Sequence, residues 1–262
     1  MTPPRYRTLH WSVDDGAVVT IALARPEARN ALNAQMRSDL MHGLARAAEV
    51  GRAVLLTGAG DVFCAGQDLG EGRRLRDVDL GRTLRDEYIP LLEAMRDLPI
   101  PILAAVNGDA AGAGMQLALS CDVVIAADSA RFVVSGAQLG LMPDAGATWW
   151  LPRLIGPARA MGMALFAEPI SAARAADWGL IWEATSDAAL LDHVHARATT
   201  LARGPSRAYA ETRRAMRAAM GAPLDAHLLA EADTQAELGR SRDFLEAMVA
   251  MAERRDPSFE GR

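Results

Sequence analysis

Three short stretches of this chain set polar or backbone groups among residues too small to cover them. They are residues 63–69 (FCAGQDL), 110–114 (AAGAG) and 139–150 (LGLMPDAGATWW). In the third, Asp144 is the lone acid in an apolar run. Burial among Leu139, Leu141 and Met142 would penalise its charged form and raise its pKa, which suits a carrier of protons near neutral pH. Aspartate is also a good helix N-cap, and a cap favours the charged form. The residues alone leave both roles open. In the second stretch no side chain exceeds a methyl group, and the run lies between an apolar strand-like segment and a helix-like one. A helix N-terminus presents unpaired N–H groups, a natural place to hold a developing oxyanion, yet close helix–sheet packing asks for the same small residues. In the first, Ala65 and Gly66 let a ligand approach backbone N–H groups closely, Asp68 could cap the following turn, and an ordinary tight turn would look the same.

Gly58 and Gly60 follow a strand-like run and invite a dinucleotide-binding reading, but Phe63 occupies the place of the third glycine that this motif needs. No G-x-S-x-G nucleophile elbow is present. His193 and His195 are two residues apart, which suits neither one helix face nor a usual zinc pair. No metal site is expected.

The elements that must position these stretches alternate. Apolar strand-like runs occupy 18–23, 52–57, 100–106, 121–128 and 130–135. Between them Asn33 could cap a helix with apolar positions at Met36, Leu40, Leu44 and Ala47. Leu84, Tyr88, Leu91, Leu92 and Met95 make a helix stripe over 84–98, and residues 112–119 read as another helix. This is an α/β pattern with parallel crossovers. From about Asp187 onward the chain is helical and rich in Ala, Arg and Glu, with breaks at 204–206 and 221–223. We divide it into a core, 1–195, and a helical region, 196–262.

Composition narrows the function classes. The 262 residues carry 50% hydrophobic side chains and a net charge of −5, with no basic patch for nucleic acid. All 28 cations are arginine, so lysine Schiff-base chemistry is excluded. Cys64 and Cys121 form neither a disulfide framework nor a metal motif and are expected as buried thiols. No apolar run approaches the length of a membrane span. The chain is expected in the cytoplasm, with neither membrane nor nucleic acid as partner.

Taken in order, the segments RPEARNALN, GAGDVFCAGQDL, AVNGDAAGAGMQLALSCDVVIAA, LGLMPDAGATWWLPRLIG and AADWGLIWE resemble the enoyl-CoA hydratase/isomerase (crotonase) superfamily. The resemblance runs from about residue 5 to the C-terminus. It is greatest to the branch of 1,2-epoxyphenylacetyl-CoA isomerases. It implies an α/β fold, a crotonase-type ββα spiral core followed by a C-terminal helical trimerisation region that assembles trimers or hexamers. It implies an acyl-CoA substrate and no separate cofactor, coenzyme A being part of the substrate. An oxyanion hole for the thioester carbonyl is implied at the N–H groups of Ala65 and Ala113, with Gly112 as the neighbouring alternative. The coenzyme and acyl group would be held by Arg29, Ala31, Ala65, Gly66, Gln67, Asp68, Leu69, Gly112, Ala113, Leu141 and Met142. Where hydratases of the family carry two glutamates this chain has Gln116 and Gly136. The resemblance leaves Asp144 as the proton carrier and implies an isomerase working through an enolate. The competing expectations are a hydratase using Asp144 and one water, and a non-catalytic acyl-CoA-binding protein.

Overall fold

In the computed structural model, residues 4–70 and 79–261 are described. β1 (Leu9–Val13) and β2 (Val18–Leu23) pair antiparallel. α1 (Ala34–Val50) starts where expected, the Asn33 side chain accepting the Met36 N–H at 2.8 Å. β3 (Ala53–Gly58) and β4 (Val62–Cys64) follow. α2 (Leu80–Thr83), a π-helical turn (Leu84–Tyr88) and α3 (Ile89–Asp97) run on from one another and cover the stripe read from sequence. Next come β5 (Ile102–Val106), β6 (Asp109–Ala111) and α4 (Ala113–Leu119), then β7 (Val123–Ala127) and β8 (Arg131–Val133). A 3-10 turn (Gly136–Leu139) leads to α5 (Ala147–Ile155) and α6 (Pro157–Phe166). β9 (Ile170–Ser171), α7 (Ala172–Asp177) and β10 (Glu183–Thr185) close the α/β part. The chain ends in α8 (Leu190–Ala202), α9 (Ser206–Ala219), α10 (Leu224–Leu238) and α11 (Arg242–Glu253).

The strands form two sheets, ordered β1-β2-β3-β5-β7-β10 and β4-β6-β8-β9. Each ββ step leaves one strand in each sheet: β3 then β4, β5 then β6, β7 then β8. Repetition of that step makes the spiral. The first sheet is parallel from β2 to β10. Its two central strands, β3 and β5, are buried at every residue, which is why they read as near-continuous apolar runs. Consecutive turns of the second sheet carry Cys64, Ala110 and Phe132 in neighbouring registers, so the loops leaving β4, β6 and β8 emerge side by side. Those loops hold the three stretches singled out from sequence.

The boundary drawn at 195/196 falls inside α8. Leu190, Val194, Ala198 and Ala202 form a buried i, i+4 stripe on that helix, which packs against β2, β3, β5 and β7. The helix belongs to the layers of the core, and the peripheral helices begin after Gly204. α9 is anchored to the core by Asp122, whose carboxylate takes Arg213 at 2.7 Å and Arg217 at 2.8 Å. No residue of α9 or α10 is buried in the single chain.

Candidate active site

The loop after β4 is fixed by its backbone. Leu32 donates to the Gly66 carbonyl at 2.7 Å and accepts from the Asp68 N–H at 3.2 Å, a one-residue parallel bridge between Leu32 and Gln67. Gly66 sits at φ +99°, and a Cβ there would lie 2.8 Å from the Ala111 carbonyl oxygen. Both facts demand glycine. The bridge leaves the Gln67 N–H pointing away from Leu32, with no acceptor among the described residues.

The donor expected at Ala65 does not fit. Its N–H is already held by the Arg29 carbonyl at 3.0 Å, and the free N–H of this loop lies two residues further on, at Gln67. Gly112 and Ala113 also differ. Gly112 donates to the Val133 carbonyl at 2.9 Å, whereas Ala113 is the first residue of α4, where N–H groups have no intrahelical partner. A Cβ built on Gly66 would lie 3.5 Å from the Ala113 nitrogen, so the two loops meet here. The packing role of the small residues is real as well: a Cβ on Gly114 would lie 2.4 Å from the Cys64 carbonyl oxygen.

A cleft of about 90 Å³ opens over these two N–H groups, lined by Ala65, Gln67, Leu69, Gly112, Ala113, Gln116, Ser135, Gly136 and Asp144 among others. Beside it lies a cavity of about 580 Å³ that reaches Leu84, Tyr88, Leu92 and Trp150. The two share Leu80, Leu141, Met142, Pro143 and Asp144 as a common wall. Asp144 is the only carboxylate lining the smaller cleft among the described residues.

Asp144 caps nothing. The N-cap of α5 is Gly146, without a side-chain hydrogen bond, and it is the Asp144 carbonyl that accepts the Ala147 N–H at 2.9 Å. Ala145 and Gly146 are both left-handed, at φ +49° and +91°, and turn the chain sharply away after the acid. Burial raises the Asp144 pKa above its ordinary value, opposed by a hydrogen bond from its own backbone N–H. The expected apolar wall is present but open: Leu139, Leu141 and Met142 are 55%, 41% and 70% exposed. They rim the cleft and do not seal the acid in.

The two neutral positions are equally telling. Gln116 is 2% exposed, with its side-chain oxygen unpaired among the described residues. A Cβ at Gly136 would lie 2.9 Å from the Met142 carbonyl carbon and 2.9 Å from the Pro143 nitrogen. The loop that carries Asp144 therefore fills the space where a side chain at 136 would stand.

The remaining expected residues lie around this cleft. Arg29 pairs with Asp109 at 3.2 Å, with its side chain 61% exposed. The Ala31 carbonyl takes Arg25 at 2.6 Å, and Arg25 also pairs with Asp68 at 2.9 Å. Asp68 accepts the Gly70 N–H at 3.0 Å, the turn cap that its type suggests. Arg29, Ala31, Gly66 and Asp68 do not line either cavity. Cys64 and Cys121 are free and buried, burial pushing the Cys64 thiol up to about 12. His193 pairs with Glu183 and His195 with Asp14, each at 2.7 Å, away from the cleft. Sequence reasoning missed the Gln67 donor and the cavity face of Tyr88. The first depends on which N–H a bridge leaves over, and the second was hidden in a helix stripe.

The comparisons agree with this architecture. The profile of the enoyl-CoA hydratase/isomerase family matches residues 14–262, and the chain belongs to that family. It has the crotonase fold: an enoyl-CoA hydratase from Bacillus anthracis superposes with a TM-score of 0.90 at 30% identity, covering 98% of this chain and 100% of that one. A Rhodobacter capsulatus protein named "Probable enoyl-CoA hydratase" is 54% identical, over 98% of this chain and 99% of its own length. The 1,2-epoxyphenylacetyl-CoA isomerase of Escherichia coli is 42% identical, over 94% and 95%. The chain is thus an enzyme-family member of the class that acts on CoA thioesters. Among its described residues, no helix is long and apolar enough to cross a membrane.

Proposed function

We propose that this protein is an acyl-CoA isomerase in which Gln67 and Ala113 hold the thioester oxygen and Asp144 moves the proton. The observation that carries this reading is the smaller cleft: two unpaired N–H groups, one half-buried carboxylate, and neutral residues at 116 and 136. The α-proton of a thioester is weakly acidic. Two fixed donors on the carbonyl oxygen stabilise the enolate formed when it leaves, each worth about 3 kcal/mol in comparable sites. Asp144 takes the α-proton, the C–H electron pair passes into the enolate, and the β,γ double bond becomes conjugated with it. Return of the proton to the γ-carbon leaves the α,β isomer, with no atom gained or lost. For a ring-1,2-epoxide of phenylacetyl-CoA, the same polarised thioester would accompany rearrangement to the oxepin. Similarity to the Escherichia coli isomerase supports this substrate.

The name of the Rhodobacter capsulatus relative favours a second reading, hydration of an enoyl-CoA. Water addition by two acids needs a second carboxyl group. Gln116 cannot titrate, and backbone crowds the space at Gly136. The test is a pair of assays on the wild-type protein, isomerisation of 3-hexenoyl-CoA and hydration of crotonyl-CoA. We expect the first at enzymatic rates and the second at least about 100-fold slower, the scale of a missing acid–base group. Faster hydration would reverse the assignment. The exposed apolar residues of the last helices, among them Leu224, Leu228, Leu229 and Met251, support self-association into a trimer or hexamer. Light scattering would read the number of copies.

A further inference from the structure

A buried cation stands behind the thioester cleft. Arg37 lies in the first turn of α1 and is 4% exposed. Its Nε and Nη2 lie 2.8 Å and 2.6 Å from one oxygen of Glu87, and its Nη1 donates to the Leu32 carbonyl. Burying an ion pair costs desolvation, and apolar residues of similar size often stabilise a fold as well or better. Stability alone does not call for a cation here.

What the cation reaches is the segment that aims the Gln67 N–H. The Gly66 C=O and the Gln67 N–H belong to one planar peptide unit and point opposite ways. The Leu32 N–H holds the Gly66 carbonyl at 2.7 Å, so the direction of the Gln67 N–H follows from where Leu32 sits. The Leu32 carbonyl makes the other half of the bridge. It accepts the Asp68 N–H at 3.2 Å, the longer of the two bonds, and its second lone pair takes Arg37. On its other side Arg37 meets Glu87 in the π-helical turn, and Leu84 and Tyr88 of that same turn line the larger cavity. One guanidinium therefore joins the backbone behind the thioester oxygen to the wall beside the acyl group.

We infer that Arg37 is a positioning residue: by tying the Leu32 carbonyl to Glu87, it fixes the direction of the Gln67 N–H in the oxyanion hole. Arg37 lines neither cavity, and it acts through Leu32 and the 66–67 peptide. Such a donor must be in place before charge develops, and a small misplacement caused far from the chemistry lowers the rate steeply. This assignment rests on the acyl-CoA reading of the cleft given above, and it names the side chain that sets the geometry there.

The test compares the wild-type protein with Arg37→Met and with the double variant Arg37→Met, Glu87→Gln. Three quantities are read: the melting temperature, kcat and KM for 3-hexenoyl-CoA, and the carbonyl stretch of bound hexanoyl-CoA labelled with carbon-13 at the thioester carbon. Donors that polarise a carbonyl lower its stretching frequency, so the infrared shift on binding reports the oxyanion hole without any reaction. We expect Arg37→Met to reduce that shift and to lower kcat by about 10²-fold, the scale of a misplaced catalytic group, with KM little changed. The double variant leaves no unpaired charge and should recover whatever melting temperature the single variant loses. Its kcat and its carbonyl shift should stay low, because nothing replaces the donor to Leu32. Recovery of kcat together with the melting temperature would overturn the assignment, since the pair would then serve the fold alone. So would a wild-type carbonyl shift in Arg37→Met, or a double variant that does not fold. A wild-type protein that shifts the carbonyl but does not isomerise loses the isomerase reading, and Arg37 is then judged on the shift. Absence of any shift or binding in wild type would remove the acyl-CoA reading and this assignment together.

Discussion

The two sides of the thioester cleft are built differently. On one side, Cys64 to Gln67 and Gly112 to Ala113 are anchored by strand ends, a bridge to Leu32 and glycines that no other residue can replace. On the other, Asp144 rides a loop whose neighbours Leu141 and Met142 are exposed. The difference matches the chemistry. An oxyanion hole works only if its dipoles are already in place when charge develops. A proton carrier must serve two carbons in turn, and a side-chain carboxylate can rotate between them where a backbone N–H cannot.

The rigid side should give the largest effect. Gln67→Pro removes the N–H that no described residue accepts, so kcat should fall by about 10²–10³-fold with the melting temperature little changed. Ala65→Pro breaks a backbone bond to Arg29 instead, and should lower stability by about 1–3 kcal/mol. Paired kinetics and thermal melts of the two variants would reverse in rank if Ala65 were the donor.

Gly136→Glu addresses the other side. It restores an acid of the type that hydratases carry, but the new side chain meets the backbone of 141–143. We expect isomerisation to fall by about 10²-fold through displacement of Asp144, with no gain in crotonyl-CoA hydration. A variant that hydrates would show that the loop yields. Arg29→Ala should act outside both walls. Its ion pair with Asp109 is exposed, so stability should move by less than about 1 kcal/mol. If Arg29 meets the coenzyme phosphates, KM for acyl-CoA should rise more than kcat falls.

The smallest effect is a pH-dependent stability difference. The pKa of Asp144 is raised by folding, so the folded protein holds that proton more tightly than the unfolded chain. Stability from this group therefore falls as pH rises through the window between the unfolded and folded values. Asp144→Asn should melt slightly above wild type at neutral pH, and the advantage should vanish below the ordinary aspartate range. Calorimetry at both pH values checks the sign.

The central strands were legible because a parallel sheet buried on both faces needs unbroken apolar runs, and β2 lies where sequence placed it. β1, β4, β6, β9 and β10 were not; segments of three residues or fewer show no periodicity, and the equally short β8 was legible only because apolar flanks extend its run over 130–135. The three stretches of small residues do gather at one cleft. Which N–H groups remain free there could not be read from residue types, because the answer depends on the Leu32 bridge and on the Val133 carbonyl. Leu139, Leu141 and Met142 line the cleft but were expected to close over Asp144. Apolar character does not distinguish a side chain that seals a site from one that only rims it, and here all three are exposed.

The central claim is that Asp144 carries the proton, and Asp144→Asn tests it most directly, because the change keeps volume and removes the base. Exchange of the thioester α-proton in deuterated water should be followed beside isomerisation of 3-hexenoyl-CoA, with thioester affinity measured in parallel. The account predicts that both rates fall by about 10²-fold or more while affinity is retained, the oxyanion donors being backbone groups that the change does not touch. Exchange near the wild-type rate in the asparagine variant would contradict it and require another base.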